Sequence, residues 1–393
     1  RNPELPAGYS YDYINAEVIM ERLSVKNGRL VLPDGMSYRL LVLPQLKTMR
    51  PELLKKIARL VQEGATILGP APERSPSLQG YPAADRAVQQ LAAELWGKSP
   101  AQRHPFGKGQ VLNNMSMEQA LQILQLQPDV AQLPDSVLYA HRTTAEGELY
   151  FITNQAAKTV SLSPAFRVAG KQPEWWDAVS GETRDMPEFT GSAQNTVVPL
   201  TLAPYQSGFV VFRRSAAVKG NGENFPAAVV VDEVNGPWQV RFDTARRGPA
   251  QPVTFDRLTD WSKNANDQIR DYSGTAVYET VFQADEIPQG AALYLDLGDV
   301  RAMGKVKLNG IDLGSVWTAP YRVNVKDALK KGSNKLEVEV VNTWVNRLIG
   351  DSKLPEAERK TWSNVNPYTP QSQYQASGLL GPVKLTAVKY SIH

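Results

Sequence analysis

The feature that most constrains the fold is a series of short apolar runs after residue 229, each separated from the next by turn residues. Within residues 336–340, apolar and acidic side chains alternate, which is typical of a strand with one buried and one solvated face. Asn309 and Gly310 lie between two such runs and favour a tight hairpin, because both residue types tolerate positive φ. We therefore predict a β-sandwich or jelly roll over residues 229–393.

Residues 1–135 show another pattern, in which short apolar runs alternate with segments of helical periodicity. Residues 51–65 begin with Pro51, carry apolar residues at helical spacing and meet Gly64 near their end, which predicts an amphipathic helix. Further helices are predicted at 85–96 and 116–124, and strands at 29–32, 38–44 and 66–69. This order favours a small flavodoxin-like or amidotransferase-like α/β domain, with ligands at the carboxyl ends of its parallel strands.

The middle of the chain reads as strands separated by turn residues, so residues 136–214 are predicted to form an all-β domain. Residues 215–228 begin with small and polar residues and are the best candidate for a linker. The fold class predicted for the whole chain is multidomain α/β plus all-β. A chain of 393 residues is long enough for two or three such domains.

Composition excludes several classes of function. Lys and Arg total 43 against 40 Asp and Glu, and a net charge of +3 spread over the chain does not indicate a nucleic-acid partner. Cysteine is absent, which excludes disulfides and thiolate metal sites and leaves cytoplasm and periplasm open. No apolar run approaches the ~20 residues of a membrane-spanning helix, so no membrane span is expected.

The sequence offers no catalytic constellation. His104, His141 and His393 are isolated, so neither a serine-hydrolase triad nor a zinc site is indicated. Dinucleotide, P-loop and G-x-S-x-G motifs do not occur. A glycosidase needs only two carboxylates facing each other in space, and spacing in the sequence does not reveal such a pair. No catalytic residue is therefore assigned, and metal ligands stay unknown.

Aromatic and planar polar residues near the C-terminus could bind carbohydrate, because sugars stack on flat apolar faces while polar side chains reach their hydroxyls. The alternative for each tryptophan is burial in the sandwich core. The best candidates follow a predicted strand and so could lie at the rim of a sheet. The candidate carbohydrate-binding residues are Trp344, Asn342, Asn346, Arg347, Trp317 and Trp261.

An ordered series of segments resembles the region that follows the catalytic barrel in family 106 glycoside hydrolases, the α-L-rhamnosidases. The segments are YSYDYINAEVI, RLVLPDGMSYRLLVLP, EGATILGPAPERSPSLQGYPAAD and EWWDAVSGE, and then LNGIDLGSVWTAPYRVNV, NKLEVEVVNTWVNRLIGD and SGLLGPVKL. The last three are similar to the galactose-binding-like sandwich of many sugar hydrolases. The resemblance implies a bacterial parent enzyme that removes terminal L-rhamnose from plant polysaccharides or glycosides with inversion, using carboxylates and a metal site on an upstream barrel.

We expect that barrel to be absent from this chain, which would then be an inactive accessory region whose partners are the barrel and a rhamnose-containing glycan. A periplasmic or secreted location is expected, with any signal outside the chain. No cofactor is required, although a structural Ca²⁺ could brace the sandwich. Two alternatives stay open: an autonomous carbohydrate-binding module, and an intact enzyme that uses the sheet edge of the α/β domain.

Overall fold

The computed structural model describes residues 4–97, 102–216, 219–220 and 222–390. The chain divides into two compact units, Arg1–Asp129 and Val130–His393. His393 lies outside the described residues, as do residues 217, 218 and 221 of the predicted linker. Within the described ranges, no helix combines the length and apolar character needed to cross a membrane.

Unit 1 has α/β architecture. Its helices are α1 (Ala16–Glu21), α2 (Pro51–Glu63), α3 (Ala83–Trp96) and α4 (Met117–Ile123). Its strands are β1 (Ser24–Lys26), β2 (Arg29–Val31), β3 (Ser37–Tyr38), β4 (Leu41–Val42), β5 (Thr66–Leu68), β6 (Arg103–Phe106) and β7 (Gly109–Leu112). The sheet order is β4-β5-β7-β6, in which β4, β5 and β7 are parallel and β6 is antiparallel to β7.

The predicted helices of unit 1 are confirmed. Helix α2 starts at Pro51 and ends before Gly64, whose φ of 128° is one that side-chain-bearing residues rarely adopt. Its apolar stripe packs in the core with buried residues of α3 and β5. The strand predicted over 38–44 is instead divided in two, because β3 pairs with β2 whereas β4 pairs with β5.

The first part of unit 2 is all β, as predicted. It contains β8 (Val130–Ala131), β9 (Val137–Thr143), β10 (Glu148–Asn154), β11 (Val160–Leu162), β12 (Ala165–Phe166), β13 (Lys171–Asp177), β14 (Thr183–Asp185), β15 (Phe189–Gly191), β16 (Thr196–Val197), β17 (Leu200–Leu202), β18 (Ser207–Ser215) and β19 (Lys219–Gly220). Two five-stranded sheets have the orders β14-β13-β18-β10-β9 and β19-β15-β16-β12-β8. Their buried aromatic and aliphatic side chains form one core.

The second part of unit 2 holds a six-stranded and a four-stranded sheet around the largest hydrophobic core formed by the described residues. Its strands are β20 (Val229–Glu233), β21 (Trp238–Phe242), β22 (Val253–Phe255), β23 (Thr275–Ala284), β24 (Ala292–Asp296), β25 (Val300–Arg301), β26 (Met303–Leu308), β27 (Ile311–Val316), β28 (Arg322–Asn324), β29 (Gly332–Val341), β30 (Gly378–Leu379) and β31 (Lys384–Val388), and its helices are α5 (Asp267–Arg270) and α6 (Val345–Ser352). The sheet orders are β22-β21-β23-β29-β26-β27 and β20-β31-β24-β28. Leu336, Val338 and Val340 are buried along β29, as their alternation predicts.

The hairpin between β26 and β27 turns at Asn309 and Gly310, as predicted, with φ of 53° and 83°. The Asn309 side chain also has a role that the dipeptide does not reveal. Its amide donates to the Ala328 carbonyl and to Asn334 Oδ1, both at 2.8 Å, and its Oδ1 accepts from Lys335 N at 2.9 Å. This residue therefore anchors the neighbouring loop as well as turning the chain.

Glu182 links the two parts of unit 2. Its carboxylate accepts a hydrogen bond from Tyr294 Oη at 3.1 Å and another from Asn324 Nδ2 at 2.8 Å. The guanidinium of Arg322 lies 4.3 Å from the centre of the Tyr294 ring, so a cation also contacts the junction. We call this contact the Glu182 clasp.

Two residues at the described end of the predicted linker are packed against the sheets, whereas the residues at 222–223 and 227–228 are exposed. Asn224 is buried and donates to the Glu188 and Pro199 carbonyls at 2.7 and 2.9 Å. The Phe225 ring lies 5.4 Å from the ring of Trp175, in the core of the first β region. These anchors fix residues 224–225 against the sheets, because an aromatic ring and a satisfied amide are both stabilised by burial.

Candidate carbohydrate-binding site

The candidate residues that follow β27 and β29 lie at the same end of the six-stranded sheet. Val316, at the end of β27, pairs with Gly304, which in turn pairs with Val340 near the end of β29. Two strand spacings of about 4.8 Å place these ends roughly 10 Å apart. Trp317 and Trp344 follow them and are 53% and 54% exposed, so this end of the sheet presents two accessible indole rings. We call it the sandwich rim.

Helix α6 was not predicted, and it sets the geometry of the rim. Its N-cap is Trp344, without a side-chain capping bond, and Gly350 lies inside it, so the usual signals for a helix start and interior are weak. The signal that could have revealed it is the apolar spacing of Val345, Leu348 and Ile349. Residues three, four or seven positions apart share one helical face, so Trp344, Arg347 and Asp351 form a row along α6.

The side-chain amides of the two candidate asparagines are hydrogen-bonded to other residues of the protein. Asn342 donates to the Tyr272 carbonyl at 2.8 Å and accepts from Gly274 N at 2.9 Å. Asn346 is buried and donates to the Gln375 carbonyl at 2.7 Å and to Ser377 Oγ at 3.2 Å.

The Asn346 Oδ1 atom also accepts from Gln375 N at 2.8 Å. Both asparagines lie at the end of the sheet after β29, but their amides hold loops in place and have little capacity left for a sugar.

Arg347 is the candidate whose environment points to a ligand. The residue is 9% exposed, and its guanidinium makes no hydrogen bond or ion pair with any residue that the structure describes. Along the same face, Asp351 Oδ1 is buried and also has no partner in the described part of the chain. Burying a charged atom without a partner is costly, which applies to Asp351 Oδ1, whereas the guanidinium nitrogens of Arg347 are not fully buried.

The other Asp351 oxygen is fully engaged. Oδ2 accepts from Thr361 N at 2.7 Å and from Thr361 Oγ1 at 2.5 Å. Asn366 Nδ2 donates to the Leu348 carbonyl at 3.1 Å, so α6 holds the long segment before β30 at several points. That segment exposes Trp362, at 86% of its surface, beside the anchored Thr361.

The prediction for Trp261 is corrected by its burial. The ring has no exposed surface, and its Nε1 donates to Tyr278 Oη at 2.6 Å. A Cβ placed on Gly378 would lie 2.6 Å from the same Nε1, so the chain before β30 packs directly on the indole. Burial raises the pKa of Tyr278, which stays a neutral hydroxyl that also accepts from Leu379 N. Trp261 is a core residue with no face for a sugar.

Trp317 lies toward the junction of the two β regions. The next residue, Thr318, donates from its hydroxyl to the Tyr205 carbonyl at 3.3 Å, and Tyr205 is 59% exposed. The structure therefore brings Trp317 and the α6 row to one end of the sandwich and places Trp261 beneath it.

No group of three or more His, Asp or Glu side chains converges for metal binding among the residues described. A Ca²⁺ ion would therefore need backbone carbonyls or water for most of its ligands. Structural calcium stays a prediction.

Two family models match the chain. Residues 1–190 match the family 106 glycoside hydrolase model described as alpha-L-rhamnosidase. Residues 257–377 match the galactose-binding domain-like model of family 2 glycosyl hydrolases, which covers much of the sandwich including α6.

Similar proteins extend this match over nearly the whole chain. The chain is 36% identical to the rhamnosidase from Novosphingobium sp. PP1Y, covering 98% of this chain and 37% of that structure with a TM-score of 0.86. A curated relative from Formosa agariphila, named "Putative beta-glucuronidase", is 23% identical over 97% of this chain and 53% of its own length. The chain thus spans about half the length of the curated relative.

These matches define the chain as a glycoside hydrolase region that includes a galactose-binding-like domain. Residues 1–190 carry the family 106 match, and the similarity to a rhamnosidase extends over nearly the whole chain, which confirms the resemblance of its sequence segments.

Proposed function

We propose that this chain is the accessory region of an α-L-rhamnosidase-like enzyme, and that the catalytic barrel lies outside it. The observation that carries the proposal is the similarity to the Novosphingobium rhamnosidase, which extends over 98% of this chain but only 37% of that one. The substrate of the parent enzyme would be terminal L-rhamnose on plant polysaccharides or glycosides. The barrel would be the main partner of the chain, and the location periplasmic or secreted.

Assay of the 393-residue chain on p-nitrophenyl α-L-rhamnoside tests this proposal. The expected result is no turnover above the buffer control, because no catalytic pair of carboxylates has been identified among the described residues. Adding the separately produced barrel from the same open reading frame should give turnover that depends on the presence of this chain. Turnover by the chain alone would contradict the accessory role.

The second candidate function is an autonomous carbohydrate-binding module, and the sandwich rim favours it. Two exposed indoles and a mostly buried guanidinium without a partner are the combination that stacks on a sugar ring and binds its hydroxyls. Calorimetric titration with rhamnose-bearing oligosaccharides should then show saturable binding. Trp344→Ala should weaken it by about tenfold, and Trp362→Ala, on the neighbouring segment, is the matched exposed control.

Structural calcium is proposed only for the sandwich. The expected result is a higher melting temperature in Ca²⁺ than in EDTA, with Mg²⁺ as the control for ionic strength. Equal melting temperatures in all three conditions would remove calcium from the proposal.

A further inference from the structure

A cleft of about 480 Å³ opens at one edge of the unit 1 sheet. It lies where the parallel strands β4, β5 and β7 end, which is the edge at which open α/β sheets bind ligands. Its volume falls within the roughly 300–1,000 Å³ of typical small-molecule sites. The residues that line it are Gln45, Leu68, Gly69, Pro70, Asn113, Asn114, Met115, Ser116 and Gln119.

The chemistry of the lining selects for a neutral ligand. None of the lining residues is ionisable, so the cleft offers neither the Arg or Lys that binds carboxylates and phosphates nor an acid to bind a cation. It also lacks the pair of carboxylates that hydrolysis of a glycoside requires, which argues against the sheet edge as a catalytic centre. With charged ligands and glycoside hydrolysis excluded, the lining fits a binding site for an uncharged molecule.

Three side-chain amides in the cleft are available to such a ligand. Gln45 and Asn114 are exposed, whereas Asn113 is only 4% exposed, and none of these amides hydrogen-bonds to any residue that the structure describes. Although Asn113 is nearly buried as a residue, its amide atoms are not fully buried, so they keep access to the cleft that Asn113 lines. Each amide offers two donors and an acceptor in one plane, which matches adjacent hydroxyl groups that both donate and accept.

The walls of the cleft are held in place before any ligand binds. The Gly69 carbonyl accepts from Trp96 Nε1 at 2.9 Å, and a Cβ at Gly69 would lie 2.7 Å from that of Leu43. On the opposite wall, Ser116 and Gln119 form a reciprocal capping box at the start of α4. Rigid walls lower the entropic cost of binding a small ligand.

Part of the remaining lining is apolar and suits the C–H face of a sugar ring. Leu68, Pro70 and Met115 provide it, and no lining residue is aromatic. A polyol without a ring would have no extended apolar face to place there, so a cyclic sugar fits the lining better.

We propose that this cleft is a binding site for a neutral sugar of one or two rings, held by the amides of Gln45, Asn113 and Asn114. The site is independent of the sandwich rim and of the accessory role proposed above.

The experiment is titration of the full chain with L-rhamnose and D-galactose as neutral probes and D-galacturonate as a charged one, followed by calorimetry and by the side-chain amide NMR signals. We expect saturable binding of at least one neutral probe, no binding of galacturonate by the cleft, and shifted amide signals of Asn113 and Gln45. Asn114→Gly removes the amide but keeps a residue suited to the φ of 50° at this position, and should weaken binding about tenfold.

Asn113→Leu should abolish the same binding component, and Gln45→Ala, at an exposed position, provides a variant with little risk to folding. Trp344→Ala is the matched control on the sandwich and should retain the component. Circular dichroism establishes that each variant is folded. Wild-type affinity in all three cleft variants, or no binding of either neutral probe, would overturn the proposal.

Discussion

The sandwich rim and the sheet-edge cleft are two polar surfaces of one chain, and they use the same residue type in opposite ways. At the rim, the amide of Asn346 is buried and fully engaged by Gln375 and Ser377. In the cleft, Asn113 is nearly as buried as a residue, but its amide has no partner among the described residues and keeps access to the cleft. The difference shows that partner satisfaction, rather than residue type, separates an asparagine that holds the fold from one that is available to a ligand.

The largest expected effect concerns Trp261, the buried residue beneath the sandwich rim. Trp261→Ala should lower the free energy of unfolding by about 3–5 kcal/mol, because it leaves a cavity in the core and removes the partner of Tyr278. Trp344→Ala, at an exposed ring, should change it by less than about 0.5 kcal/mol. Urea unfolding followed by circular dichroism measures both. Similar losses for the two variants would mean that Trp344 is part of the core.

An intermediate effect compares the two buried amides directly. Asn346→Ala should cost about 2–3 kcal/mol, since it leaves Gln375 backbone groups without partners in a buried site. Asn113→Leu should cost less than about 1 kcal/mol or stabilise the chain, because the amide it removes has no partner among the residues that the structure describes. The measurement is again the urea transition. A larger loss for Asn113→Leu than for Asn346→Ala would reverse the comparison.

The smallest effect concerns pH. Burial acts to raise the pKa of Glu174, but hydrogen bonds from Arg213, Trp176 and Arg214 outweigh it and hold the pKa below its ordinary value. Because the folded pKa lies below the unfolded one, this carboxylate stabilises unit 2 above about pH 4.3 and loses that contribution as the pH falls through the folded pKa.

Unfolding free energies measured between pH 3 and 7 should therefore fall on the acid side, with a shallower slope in Glu174→Gln. An identical acid slope in wild type and variant would mean that Glu174 does not contribute to the acid sensitivity.

Sugar binding by the cleft should stay constant from about pH 5 to 9, since none of its lining residues ionises.

Much of the β architecture could be predicted because its determinants are local. The strands expected in residues 136–214 include β9 and β10, which alternation with turn residues at both ends defines, and the Asn309 turn needs only its own dipeptide. Helix α6 was missed because its eight residues lack a capping side chain. The division of residues 38–44 between two sheets depends on which strands they pair with, β2 a few residues before them and β5 farther along the chain, and the pattern within the segment does not encode this choice.

The functional surfaces were less predictable for the same reason. The pattern located the rim after β29 and the favoured edge of the parallel sheet. It could not show that Trp261 is buried or that three amides meet in one cleft, because both depend on contacts between segments far apart in the chain. The boundary between the two β regions stays a prediction.

The Glu182 clasp has a consequence for how unit 2 loses its structure. Tyr294 and Asn324 bind the same Glu182 carboxylate, Tyr294 is buried at this contact, and both β regions belong to one compact unit. The two β regions should therefore melt in one cooperative heat-absorption peak rather than in two. In such a unit, unfolding of either hydrophobic core also unfolds the other.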